Sequence, residues 1–167
     1  MLNIATEKMH RLRDALMQVN QLADSNGRAI AAETEADMTA MLQRFEPFAE
    51  TLFLTMLSDG AADEDELLAL HGGLHILSNG SLHQQMIEAM LRRFALNVQQ
   101  QGVEYRLQVI GAHLCRDQAD REIAFKLAAT VALANNKIED AEERFLVTMA
   151  EYFGISAKRS QVLLGEI

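Results

Sequence analysis

Apolar residues recur at helical spacing along most of this chain. The first stretch carries a seam whose members alternate three and four residues apart: Leu2, Ala5, Met9, Leu12, Leu16, Val19 and Ala23. This spacing is typical of a helix with one narrow apolar stripe, which we assign to residues 1–30. Ser25-Asn26-Gly27 predict its end, because Asn and Gly tolerate the left-handed conformation. The apolar stripe either packs against the rest of the same domain, which we favour, or makes this helix an oligomerisation arm.

From Thr34 onward, apolar helical faces alternate with turn residues as far as the C-terminus. We predict a break at Pro47, because proline has no backbone N–H and suits a first helical turn. Ser81 and Gln84 form a capping-box pattern that predicts another helix start. No run shows strand alternation bounded by hairpin turns. The pattern predicts an all-α fold, a compact bundle of about eight helices, with residues 34–167 as one helical domain.

Two segments of the sequence match each other when position 57 is aligned with position 133. This constant offset in residue number is called the repeat shift below. The first segment reads LSDGAADEDELLAL from Leu57, and the second reads LANNKIEDAEERFL from Leu133. Each consists of a helix end, a short polar loop, an acidic helix start and an apolar helix. An internal repeat of this kind predicts two similar helical hairpins packed together.

The repeat places oxygen-bearing side chains at matched positions: Asp59, Asp63 and Glu66 in the first copy, and Asn135, Glu139 and Glu142 in the second. These residues fit helix capping, where each such feature is worth about 0.3–2 kcal/mol. They also fit a divalent cation site, because hard cations bind about six or more oxygens. Neither copy has enough oxygens alone, so a shared cation of unknown identity is the prediction.

A complete EF-hand is excluded in the first copy. Aligning Gly60 with the turn glycine of an EF-hand loop puts the first two ligand positions on Thr55 and Leu57. Both lie inside the preceding predicted helix, and neither carries a carboxylate. At most half of such a loop is present.

Charge and composition narrow the function classes. The formal net charge is −9 and the sequence pI is about 5.0, which argues against binding nucleic acid through phosphate contacts. An acidic surface suits a cation or a basic protein partner. Cys115 is the only cysteine, and no stretch reaches the roughly 18 apolar residues of a membrane-spanning helix. We therefore expect a cytoplasmic, soluble protein without membrane insertion.

Other motifs point only weakly to chemistry. His71 and His75 have zinc-ligand spacing, but Gly72-Gly73 between them weakens the helix, so partly buried histidines and close helix packing are the preferred interpretation. Glu7 and His10 match half of a di-iron motif with no second half. The chain has no glycine-rich phosphate loop and no nucleophile elbow. We do not expect an enzyme.

The turn Ser58-Asp59-Gly60 before an acidic helix, repeated in part as Ala134-Asn135-Asn136, resembles the turn of the TerB-like (tellurite-resistance) family. The resemblance covers roughly residues 34–167. It implies a helical fold, a role in tellurite resistance or chemical stress, and divalent cation binding through Asp59, Asp63 and Glu66. The second copy departs from the pattern, because Asn135-Asn136 replace the Asp-Gly pair and leave Glu139 and Glu142 as its matched carboxylates.

The function predicted from these observations is a non-catalytic stress-response binding module with a divalent cation and a protein partner. One alternative is a metal-assisted enzyme that uses an acidic cleft between the repeats. Another is a helical scaffold that forms a homodimer through the N-terminal seam.

Overall fold

The computed structural model describes residues 35–60, 64–133 and 140–167. The predicted N-terminal helix, with both interpretations of its seam and the Glu7–His10 pair, lies outside these residues. Within them the chain forms seven α-helices and no strand, and no helix there is long and apolar enough to cross a bilayer. The elements are α1 Glu35–Met56, a 3-10 turn Leu57–Asp59, α2 Glu64–Leu77, α3 Gln84–Gln101, α4 Val103–Leu114, α5 Gln118–Ala132, α6 Asp140–Tyr152 and α7 Ala157–Gly165.

Helix α1 forms the centre of the bundle. Residues 47–56 are all buried, and α1 packs against α2, α3, α4, α5 and α6. A helix that is buried on all sides has to be covered by several neighbours. Aromatic residues from several helices meet in this core, and the rings of Phe53 and Phe94 lie 5.9 Å apart between centroids. The other aromatic side chains deep in the core include Phe48, Phe125 and Phe153.

The predicted break at Pro47 is wrong, because α1 continues through this residue. An interior proline costs about 3 kcal/mol, since it removes one helical hydrogen bond and crowds the preceding turn. Burial of large apolar side chains such as Phe48 and Leu52 gains about 1.5–3 kcal/mol each and outweighs that cost. The Pro47 carbonyl also accepts a hydrogen bond from Thr51 Oγ1 at 2.7 Å, which satisfies a buried hydroxyl.

Several helix ends have capping interactions or turn residues close to them in the chain. Asp117 caps α5 by accepting a hydrogen bond from the Ala119 N–H at 2.8 Å, and Ser156 caps α7. Helix α2 is followed by Asn79 and Gly80, which have φ values of 52° and 75°. These ends therefore depend on interactions between residues that are close together in the sequence.

The capping box predicted at Ser81 is wrong. Helix α3 begins at Gln84 and has His83 at its N-cap, with no side-chain cap. Instead, Ser78 Oγ accepts a hydrogen bond from the Leu82 N–H at 3.1 Å, while Leu82 is fully buried. The Leu82 N–H in this buried connection is therefore satisfied by Ser78, just after α2, and not by Ser81, nearer the start of α3.

A close approach between helices lies at Gly111 rather than at Gly72. No atom lies within 4 Å of the position that a Gly72 Cβ would take. A Cβ on Gly111 would overlap the Tyr152 carbonyl oxygen and lie 3.0 Å from its carbonyl carbon. Glycine at 111 therefore allows α4 to pack against the end of α6.

We predict opposite effects for alanine at these two glycines. Gly111→Ala should lower the free energy of unfolding by about 1–3 kcal/mol, because the Tyr152 backbone has to move. Gly72→Ala should raise it by about 0.5–1 kcal/mol, because alanine loses less backbone entropy in an open helix position. Urea unfolding of both variants measures the difference, and equal effects would contradict the packing described for Gly111.

Candidate functional site

The helix boundaries follow the same repeat shift as the sequence. Helix α1 ends at Met56 and α5 ends at Ala132, while α2 begins at Glu64 and α6 begins at Asp140. Both pairs of boundaries are separated by the repeat shift. The helix ends that flank the two acidic segments therefore agree with the repeat predicted from the sequence.

The turn that follows α1 makes one of the contacts between the two hairpins. Arg121, near the start of α5, donates a hydrogen bond from Nη1 to the Phe153 carbonyl at 3.2 Å, just beyond the end of α6. Helix α6 therefore runs back along α5 in the opposite direction. The 3-10 turn Leu57–Asp59 packs against α6. The turn at the start of the first acidic segment therefore contacts α6, which is the helix that follows the second acidic segment.

The six predicted ligand residues are described to different extents. Asp63, Asn135 and Glu139 lie outside the described residues. Asp59 ends the 3-10 turn and Glu66 lies in the first turn of α2, and both are described by their backbone. Glu142 has a partly buried side chain in the first turn of α6, where Asp140 and Glu143 also lie. Negative charge in a first turn favours the helix dipole, so capping and cation binding both stay predictions.

Among the side chains that the structure describes, no three His, Cys, Asp or Glu residues could together hold a metal ion. The side chains of Asp59 and Glu66 are not among them. The His75 ring is exposed, and its Nδ1 lies 3.2 Å from the Leu82 carbonyl, while His71 is half-buried. Cys115 is exposed, and its thiol lies 3.0 Å from the Ala112 carbonyl.

Two glutamates at positions related by the repeat shift form ion pairs with the helices that follow the two hairpins, α3 and α7. Glu46 of α1 pairs with Arg93 of α3, and Glu122 of α5, its counterpart under the repeat shift, pairs with Arg159 of α7. In the second pair, Arg159 Nε and Nη2 donate to the two carboxylate oxygens at 2.8 and 2.6 Å. These hydrogen bonds lower the pKa of Glu122 to about 2, from a reference value of 4.5.

A buried ion pair between α1 and α4 was not predicted from the sequence. Arg106 Nε and Nη2 donate to Glu50 Oε1 and Oε2 at 2.6 and 2.9 Å, and Glu50 is only 3% exposed. The hydrogen bonds to Glu50 raise the pKa of Arg106 above its ordinary value. A signal was present, because Glu50 is the only charged residue between Pro47 and Leu57. A lone acid in a buried apolar run requires a partner.

Comparisons with protein-family models, with curated proteins and with solved structures give no match to this chain. The resemblance to the TerB-like family stays a prediction drawn from the residues of the two turns.

The pairing of Glu122 predicts a stability difference that depends on pH. Because the folded-state pKa is lowered, the pair stabilises the fold above about pH 4.5 and this contribution is lost as the pH falls toward 2. Glu122→Gln should lower the melting temperature by a few degrees at pH 7. Melting curves of both proteins between pH 7 and pH 2 test this, and a difference that stays constant over that range would contradict it.

Replacing the buried Glu50 should lower the free energy of unfolding more than replacing Glu46, which lies one turn earlier on α1. Glu50→Gln leaves Arg106 as an uncompensated buried charge, which costs about 3–5 kcal/mol. Glu46→Gln should cost at most about 1 kcal/mol, because the Glu46 and Arg93 side chains are 33% and 55% exposed. Urea unfolding measures both, and similar losses would contradict the assigned burial.

Proposed function

We propose that this chain is a non-catalytic binding module in which the two acidic segments together bind one divalent cation. The residues proposed as ligands are Asp59, Asp63 and Glu66 from the first repeat, and Asn135, Glu139 and Glu142 from the second. This cation-linked role agrees with what the TerB-like resemblance implies, including a place in the response to tellurite or chemical stress.

The observation that supports a shared site is the contact between the 3-10 turn and α6. Asp59 is the last residue of that turn, and Glu142 lies in the first turn of α6. Because the helix boundaries of the two repeats match, Glu66 and Glu142 occupy equivalent positions in α2 and α6. Ligands from both repeats would supply the number of oxygens that a hard cation requires.

The local charge also favours a cation over an anion. Helix α2 begins with Glu64, Asp65 and Glu66, and α6 has three acids in its first turn. The helix dipole compensates part of this negative charge, and neighbouring carboxylates still repel one another. A bound divalent ion would relieve that repulsion and stabilise the contact between the hairpins.

The proposed protein partner follows from the same charge distribution. With a net charge of −9, the chain would attract a partner with a basic surface, and screening by salt would weaken that association. We propose that cation binding changes the charge of the two acidic segments. The surface that this partner contacts would change with it.

Titration calorimetry of the full chain with calcium, magnesium, manganese and zinc tests the shared site. We expect one ion per chain, and a rise in melting temperature, because a ligand that binds only the native state stabilises it by about 2.7 kcal/mol at a hundred times its dissociation constant. Glu66→Gln and Glu142→Gln should each weaken binding at least about tenfold, because each removes a charged oxygen ligand.

Matched controls lie beside each proposed ligand. Glu64→Gln and Glu143→Gln change an exposed first-turn acid on the same helices and should leave the affinity nearly unchanged. Two ions per chain would indicate separate sites rather than a shared one. An affinity that responds equally to ligand and control variants, or no heat and no change in melting temperature, would refute the proposal.

A further inference from the structure

A second contact between the repeats lies at Arg44 of α1 and Asp120 of α5. These two positions are also related by the repeat shift, so equivalent places in the two hairpins face each other. Arg44 Nη2 lies 3.8 Å from Asp120 Oδ1. That distance allows charge attraction but is too long for a hydrogen bond.

Both sides of this contact contain buried polar atoms without a hydrogen-bond partner. Arg44 Nε and Asp120 Oδ1 are each inaccessible and make no hydrogen bond, and the Asp120 side chain is only 14% exposed. Asp120 therefore differs from Glu122, two residues later on the same helix, which receives two hydrogen bonds from one arginine. An ionised carboxylate that loses water without gaining hydrogen bonds is destabilised.

The charged groups around Asp120 come from three elements. Arg44 approaches from α1, His113 from the last turn of α4, and Asp117 from the cap of α5. Burial raises the pKa of Asp120 above its reference value of 3.8, and Asp117 adds to this rise, while Arg44 and His113 oppose it. Burial has the largest effect, so the carboxyl binds a proton more readily in the folded chain than in the unfolded one.

We propose that the Arg44–Asp120 contact is an acid-responsive joint, at which the two repeats hold together more strongly when the carboxyl is neutral than when it is ionised. The joint is separate from the proposed cation site, because Asp120 lies in the first turn of α5 and the second acidic segment follows the end of that helix.

The sign follows from linkage. A carboxyl whose folded-state pKa is raised gives its full contribution to stability below the unfolded-state pKa of 3.8, and this contribution is lost as the pH rises through the folded-state value. An asparagine side chain at the same position cannot ionise. Asp120→Asn should therefore have a higher melting temperature than the wild type at pH 7, and the difference should disappear near pH 3.

Two measurements on the full chain test the joint. The first compares melting temperatures between pH 3 and pH 7 for the wild type and Asp120→Asn, with Glu122→Gln as the matched control that should be less stable than the wild type at pH 7. The second follows the Asp120 carboxyl carbon by NMR during an acid titration, in the wild type and in Arg44→Gln. A pKa above 3.8 that rises further in Arg44→Gln is expected, because the guanidinium lowers it.

Hydrogen exchange at pH 7 shows whether the effect lies at the contact between the repeats. Amides of α1 and α5 should exchange more slowly in Asp120→Asn than in the wild type, because the two helices separate less often. The proposal is overturned if Asp120→Asn is less stable than the wild type at pH 7, if the wild-type carboxyl titrates at or below 3.8, or if exchange in α1 and α5 becomes faster.

Discussion

The burial on all sides of residues 47–56, the C-terminal half of α1, is the constraint on which the rest of this structure depends. Every residue from Pro47 to Met56 is covered, so each polar group in that stretch needs a partner within the protein. Thr51 and Thr55 meet this requirement by donating to carbonyls one turn earlier in α1. Glu50 requires a cation, and Arg106 from α4 provides it. The position of α4 is thereby linked to the centre of the bundle.

The second organising feature is the repetition of a helical hairpin. Helices α1 and α5 pack against each other as the first helices of the two repeats. At matched positions on them, Glu46 forms an ion pair with α3 and Glu122 forms one with α7. The pair between the repeats is chemically different from these pairs within repeats. Arg44 and Asp120 are opposite charges at equivalent positions, yet they make no hydrogen bond with each other. The charged pair between the repeats therefore lacks the hydrogen bonds that the pairs within each repeat make.

This arrangement relates the two proposals to each other. The acidic segments follow the C-terminal ends of α1 and α5, whereas the Arg44–Asp120 contact lies earlier along both helices. A cation at one end and a proton at the other would each act on the packing of the same two helices. If a cation and a proton each bind as proposed, both would change the charge at a contact between the repeats, and their binding would be thermodynamically coupled.

The sequence by itself determined the helical class, the repeat and the local chemistry of several helix ends. These depend on interactions within a few residues, such as the Asp117 cap and the left-handed turn at Gly80, and on apolar periodicity. Only the tertiary structure decided that α1 passes through Pro47, that Gly111 accommodates the Tyr152 backbone, and that Glu50 meets Arg106 from a distant part of the chain. The physical reason is that each of these depends on which helices pack together, and local propensity carries no information about partners that are distant along the chain.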